Sequence, residues 1–210
     1  MPLDTKLTIG RYNTKDIAQR FFERTIQLRI SAERRFINKM KARHPESLVL
    51  DVGCGVGKDL VRFLRAGLNA VGVDGARELL ELAQQRLQIP PTKLFEADLR
   101  SLPFSFGSFD GLWMRAVLGH FPDPENLTVL KEMARVAKSD ALLFARIREG
   151  DEEGMEEKDG TTRYYKYYRP KKVRELLQQA GFAIDCLRHS RGEIDKSSSW
   201  IHVWAHLRKP

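Results

Sequence analysis

From residue 47 onward, short apolar runs alternate with segments whose apolar residues recur every three or four positions. The runs are SLVLDV (47–52), NAVGVD (69–74), KLFEAD (93–98), FDGLWMR (109–115) and ALLFARI (141–147). KDLVRFLRAG (58–67) reads as a helix closed by Gly67. ARELLELAQQRLQ lines up Ala76, Leu79, Leu80, Ala83 and Leu87, and Pro90 and Pro91 stop it. PENLTVLKEMARVAK (124–138) puts Leu127, Leu130, Met133, Ala134 and Ala137 inward. Strands that are apolar throughout must be covered on both faces, and only helices are available to cover them. A mostly parallel sheet between two helical layers follows. PKKVRELLQQAG (170–181) adds a helix with Val173, Leu176, Leu177 and Ala180 in register. FAIDCLR (182–188) and SWIHVWAHL (199–207) then follow without a helix between them, so a hairpin is the simplest link and one of the two runs antiparallel.

Ahead of this alternation, residues 14–43 read as two helices. Phe21, Phe22, Thr25, Leu28 and Arg29 form one stripe; Ala32, Phe36, Ile37 and Met40 form the next. The chain therefore divides into an N-terminal helical cap, 1–46, and an α/β domain, 47–210, with a lid-like insert at about 149–169.

The formal net charge of +8 is uneven. Residues 1–46 hold eleven Lys/Arg against five Asp/Glu. EGDEEGMEEKDG (149–160) holds seven acids and one Lys, and RYYKYYRPKKVR (163–174) holds six bases and four Tyr. Bases interleaved with aromatics suit a nucleic acid backbone and its bases; a solvated charged surface is the plainer alternative. No apolar run reaches the 18 residues of a membrane span, and no secretory signal is visible at the start. Cys54 and Cys186 lack metal-ligand spacing, and a reduced, cytoplasmic setting is expected. His202 and His206 point the same way from a strand but have no further ligands near them in sequence, so no metal site is expected.

The chemistry concentrates in LDVGCGVGKD (50–59). Glycines Gly53, Gly55 and Gly57 after a strand let the backbone turn sharply and approach a ligand, and the next helix offers free N–H groups. A dinucleotide fingerprint would need a third glycine where Lys58 stands. Asp51, two residues before the first glycine, would repel a pyrophosphate and attract an ammonium. That favours an amino-acid nucleoside, although Asp51 can also serve by holding the loop's backbone. Asp74 ends the second strand, where an acid accepts ribose hydroxyls; a helix N-cap is the other use of an Asp there. Asp98 reaches the same rim, facing an adenine amine or forming a turn.

These stretches resemble one family, the class I S-adenosylmethionine-dependent methyltransferases, strongly over residues 47–147. VLDVGCGVGKDL is similar to its first motif, VGVD to its second and FEADLRSLPFSFGSFDGLW to its third and fourth. LKEMARVAKSDALLFARI is similar to its fifth helix and strand, with KSD in place of the usual Pro-Gly-Gly turn. The resemblance implies a Rossmann-like seven-stranded sheet in the order 3-2-1-4-5-7-6, strand 7 antiparallel. It implies S-adenosyl-L-methionine as methyl donor and S-adenosyl-L-homocysteine as product. Carried over by position, Asp51, Gly53, Cys54, Gly55 and Gly57 hold the methionine end, Asp74 and Gly75 the ribose, and Asp98 and Leu99 the adenine.

Arg115 follows where cofactor and acceptor meet in the family, placed for the cofactor carboxylate or an acidic acceptor. His120 is the candidate general base, or a turn cap. Tyr164, Tyr165, Tyr167 and Tyr168 are candidates to line the acceptor pocket. The expected activity is methyl transfer by in-line displacement to a small molecule. RYYKYYR also resembles an insert of tRNA wobble-uridine methyltransferases, so an RNA acceptor is the alternative, and a non-catalytic module that binds the nucleoside is the third. A monomer or homodimer is expected.

Overall fold

The computed structural model describes residues 9–28, 31–123, 125–158, 161–192 and 195–208. Residues 1–8 of the expected cap and 159–160 of the expected insert lie outside them. Helices α1 (Lys15–Thr25) and α2 (Ser31–Lys41) precede the alternation β1 (Leu48–Val52), α3 (Lys58–Arg65), β2 (Asn69–Asp74), α4 (Arg77–Leu87), β3 (Leu94–Glu96) and β4 (Phe109–Arg115). Then come α5 (Glu125–Val136), β5 (Ala137–Arg148), the strands β6 (Glu153–Lys158) and β7 (Thr161–Lys166), α6 (Pro170–Gln179), β8 (Phe182–Arg191) and β9 (Ser199–Leu207).

Seven strands form one sheet in the order β3-β2-β1-β4-β5-β9-β8, while β6 and β7 make a separate two-stranded antiparallel sheet. Strands β1 to β5 pair in parallel, and β9 runs antiparallel to both β5 and β8. Because β6 and β7 are inserted, β8 and β9 hold the places expected of strands six and seven, so the expected sheet order is the observed one.

The two faces of the sheet carry different cores. On one, Leu50, Leu112, Met114 and Leu143 meet Leu130 and Met133 of α5 and Leu177 of α6. On the other, an aromatic ladder crosses the strands: Trp113 stacks on Phe144 at 4.3 Å, and Phe144 meets Trp204 at 4.9 Å. Phe36 of α2 packs edge-on against Trp113 at 5.1 Å, so the second helix of the cap completes this core. Met40 reaches the sheet because Gly111 has no side chain; a Cβ there would lie 2.7 Å from the Met40 sulfur.

Element ends follow local chemistry. Gly57 (φ 70°) leads into α3, and Gly67 (φ 78°) ends its turn. At KSD the chain passes from α5 straight into β5, and Asp140 takes a left-handed φ of 62°. Asp is among the few non-glycine residues that tolerate this conformation. Glu132 and Arg135 of α5 pin the loop after β3: Glu132 accepts the Leu102 N–H at 2.7 Å, and Arg135 donates to the carbonyls of Phe104 at 2.9 Å and Leu102 at 3.1 Å.

Candidate functional site

A cavity of about 420 Å³ opens at the carboxyl ends of β1, β2 and β4, within the range of about 300–1,000 Å³ usual for small-molecule sites. Its floor is the loop after β1. Three positive φ values, +63° at Gly53, +54° at Gly55 and +70° at Gly57, bend the backbone there. The three glycines answer different demands. A Cβ on Gly53 would lie 2.6 Å from Val117, and one on Gly57 would lie 2.5 Å from Ile89. At Gly55 the nearest neighbour is Phe21, at 3.4 Å, and this glycine faces the cavity. Gly57 and Cys54 were expected at the ligand but do not line the cavity. Gly57 packs on α4, and Cys54 is buried toward β2, where burial raises its thiol pKa well above normal. Both cysteines are free.

Asp51 lies beneath this loop, 3% exposed, between Gly72 and Trp113 of the neighbouring strands, and like Gly57 and Cys54 it does not line the cavity. Its Oδ2 is buried without a hydrogen-bond partner. Burial, and next the charge of Asp59, push its pKa well above the usual carboxylate value. Asp59 itself is fully engaged. It accepts from Trp113 Nε1 at 3.1 Å, Lys58 Nζ at 2.9 Å and Arg115 Nη1 at 3.1 Å. Burial alone would raise the Asp59 pKa, but Lys58 and Arg115 hold it below the usual range. Asp59 was not foreseen: one acid among helix residues gives no sign that a tryptophan and two cations converge on it.

Asp74 accepts the Gly55 N–H at 2.8 Å and the Ala76 N–H at 2.9 Å, and so ties the glycine loop to the end of β2. The Gly75 N–H also bonds this carboxylate, which leaves it about one of its four lone pairs. Burial raises its pKa against the pull of those N–H groups. Gly75 and Leu99 also line the cavity. Asp98, between the lining residues Ala97 and Leu99, is not itself among them. Its carboxylate is gripped by Arg100, Nε to Oδ1 at 2.9 Å and Nη2 to Oδ2 at 2.6 Å, and Arg100 also reaches Glu125 at 2.5 Å. Those hydrogen bonds outweigh the cost of burial and lower its pKa.

Arg115 ends β4 on the cavity wall, bound to Asp59. The next residue, Ala116, has φ 60°, a strained conformation for alanine, and donates its N–H to the Arg146 carbonyl at 2.8 Å. The 3₁₀ turn Leu118–His120 follows. His120 faces the cavity with Nδ1 3.3 Å from the Tyr164 carbonyl oxygen and its ring 6.3 Å from that of Tyr12.

The roof comes from both ends of the chain. Tyr12, Phe21, Arg24 and Leu28 cover one side, and Arg163, Tyr165 and Tyr167 cover the other. Arg163 joins the two by donating to the Tyr12 hydroxyl at 2.5 Å while pairing with Glu156 at 3.2 Å. Of the four tyrosines expected to line the pocket, Tyr164 and Tyr168 do not. Strand alternation turns Arg163 and Tyr165 of β7 toward the cavity and Tyr164 away from it, while Tyr168 lies past the end of the strand. Tyr164 donates to Glu153 at 2.6 Å, and the Tyr168 hydroxyl binds the Asn126 side chain.

Across β4 and β5 from the glycine loop, the lining changes to Arg146, Arg148, Trp200, Gly192, Asp195 and Ser198. None of these was foreseen. The available signal was Arg146 and Arg148 at alternate positions at the end of a buried apolar run that begins at Ala141. His202 contacts Ser190 Oγ at 3.0 Å, and His206 contacts Asp185 at 2.7 Å. Among the described residues no group of three His, Cys, Asp or Glu is placed to hold a metal ion, and no helix is long and apolar enough to cross a membrane.

Residues 49–140 match a family model described as a methyltransferase domain. The chain is 38% identical over 95 residues to the methyltransferase GfsG of Streptomyces halstedii, covering 43% of this chain and 34% of that protein. It is 34% identical over 104 residues to the human "Probable tRNA methyltransferase 9B", covering 49% of this chain and 21% of that one. The matched stretch therefore spans about a third or less of these relatives. In three dimensions it resembles magnesium protoporphyrin IX methyltransferase of Synechocystis PCC 6803, solved with bound SAH, at a TM-score of 0.74 and 18% identity, over 98% of this chain and 100% of that one.

Proposed function

We propose that the chain is a class I S-adenosylmethionine-dependent methyltransferase, a reading supported by the methyltransferase-domain match over residues 49–140 and the similarity to GfsG, and that it transfers a methyl group to a small-molecule acceptor bound under the roof of the cavity. The observation that carries the donor assignment is the buried Asp51 Oδ2 without a partner beneath a glycine loop. A buried acceptor of this kind fits a ligand that brings its own N–H donors. The acceptor capacity that Asp74 keeps beyond its three backbone N–H donors, and the open face of Gly55, suit a hydroxyl and the close approach of a nucleoside.

S-adenosylmethionine supplies a methyl group already activated on a sulfonium. Asp51 would take its ammonium, Arg115 its carboxylate, Asp74 its ribose hydroxyls and the Leu99 N–H its adenine. The protein's remaining work is to orient the acceptor and exclude water. Tyr12, Phe21, Tyr165 and Tyr167 do the latter by closing the roof. His120 is the one imidazole on the cavity wall among the described residues and is placed to receive a proton if the acceptor sheds one.

An RNA acceptor is the second reading, favoured by the similarity to the tRNA methyltransferase 9B proteins and by the cavity-facing pair Tyr165 and Tyr167, whose rings lie 4.8 Å apart. It requires a base drawn out of its stack into the cavity. The deciding experiment incubates the protein with methyl-labelled S-adenosylmethionine and fractionated cell extract. Label in a small-molecule fraction supports the first reading; label in RNA, with tRNA retention that falls steeply with salt, replaces it with the second.

A further inference from the structure

We propose that the methyl acceptor is an organic anion, and that Arg148 grips its carboxylate or phosphate. This rests on the reading of the cavity as a methyltransferase site.

Arg148 lies at the end of β5, on the same face of the sheet as Arg146, which is in register with Arg115 on β4. These three guanidiniums continue the aromatic ladder toward the rim and into the cavity. Among the described residues, seven Lys and Arg line the cavity against three carboxylates. Asp59 answers Arg115, and Glu156 answers Arg163. Arg148 is answered more loosely. Its side chain is only 24% exposed, its Nε is buried without a hydrogen-bond partner, and its ion pair with Asp195 spans 3.7 Å from Nη2, longer than a hydrogen bond. Two rings hold it, Tyr167 at 5.0 Å and Trp200 at 5.6 Å. Trp200 also carries Arg146, at 4.1 Å.

Aromatic contacts steady a guanidinium without using its N–H donors. A flat fork fixed between rings has lost most of its freedom already, so it pairs with a two-oxygen anion at little further entropic cost. A neutral or cationic acceptor packed over Arg148 would displace water from those donors without giving them a charged partner. Carboxylate and phosphate share the fork geometry, so the cavity selects the charge first and the carrier second.

The test is calorimetry on the full chain saturated with S-adenosylhomocysteine, using two probe pairs: indole-3-carboxylate with indole-3-carboxamide, and uridine 5′-monophosphate with uridine. At least one anion is expected to bind tenfold or more tighter than its neutral partner, and the better of the two names the carrier. Arg148→Leu should remove that preference, while Arg148→Lys keeps part of it, each with its melting temperature and S-adenosylhomocysteine affinity held. Equal binding within both pairs, no saturable binding of either anion, or an anion preference that survives Arg148→Leu would overturn the proposal. Should S-adenosylhomocysteine itself fail to bind, the donor assignment falls; the same titrations on the free protein still decide the anion site.

Discussion

Asp51 combines two demands that usually conflict. Its raised pKa means the folded protein holds a proton there that the unfolded chain has released. That contribution to stability is present below the ordinary carboxylate pKa and is lost as pH rises through the raised one. Asp51→Asn should therefore melt at or above the wild-type temperature at pH 8, yet show no thermal shift with S-adenosylhomocysteine. A retained shift would remove Asp51 from the donor site. In the wild type, an ammonium binds the ionised form, so affinity should weaken as pH falls below the raised pKa, by up to about tenfold per unit. Asp74→Ala should weaken the same ligand by about 1–3 kcal/mol in calorimetry, since it strips acceptors from hydroxyls in a closed site. Gly53→Ala meets both a left-handed φ and Val117, and should cost about 1–3 kcal/mol in denaturant unfolding. Asp51, Asp74 and the glycines were legible in sequence because a tight turn after a buried strand admits few residue types. Asp59 and Arg148 were not, because their meaning lies in partners 54 and 52 residues away, respectively Trp113 and Trp200.

At the scale of elements, strands and helices were legible wherever a period was strong. NAVGVD, FDGLWMR and SWIHVWAHL match β2, β4 and β9 end for end. The insert was read as an acidic half beside a tyrosine-rich half, and its structure is the pairing of the two. Glu153 lies opposite Lys166, and Glu156 opposite Arg163. Opposite charges across an antiparallel pair stabilise its register, which composition alone does not reveal. Replacing residues 153–166 with a short Gly-Ser linker should leave the S-adenosylhomocysteine thermal shift in place and abolish methyl incorporation. Loss of the shift would mean that the hairpin shapes the donor half as well.

For the molecule as a whole, Arg62 fastens the N-terminal helices to the sheet. It donates to the carbonyls of Ile26 at 3.0 Å and Leu28 at 2.8 Å, and pairs with Glu33 at 2.9 Å and Asp59 at 3.4 Å. Arg62→Leu leaves two buried carboxylates short of a partner and should cost about 3–5 kcal/mol in denaturant unfolding. An unchanged midpoint would show that Phe36 and Met40 suffice to hold the cap. The two ends of the cavity are written in different stretches of chain. The floor is encoded between Gly53 and Phe121, while the opposite wall and roof come from residues 9–28 and 146–200. Inheritance can therefore vary one without disturbing the other. A lineage could keep its methyl donor through a run of substitutions at Arg148, Tyr167 and Trp200, and change what it methylates at each step.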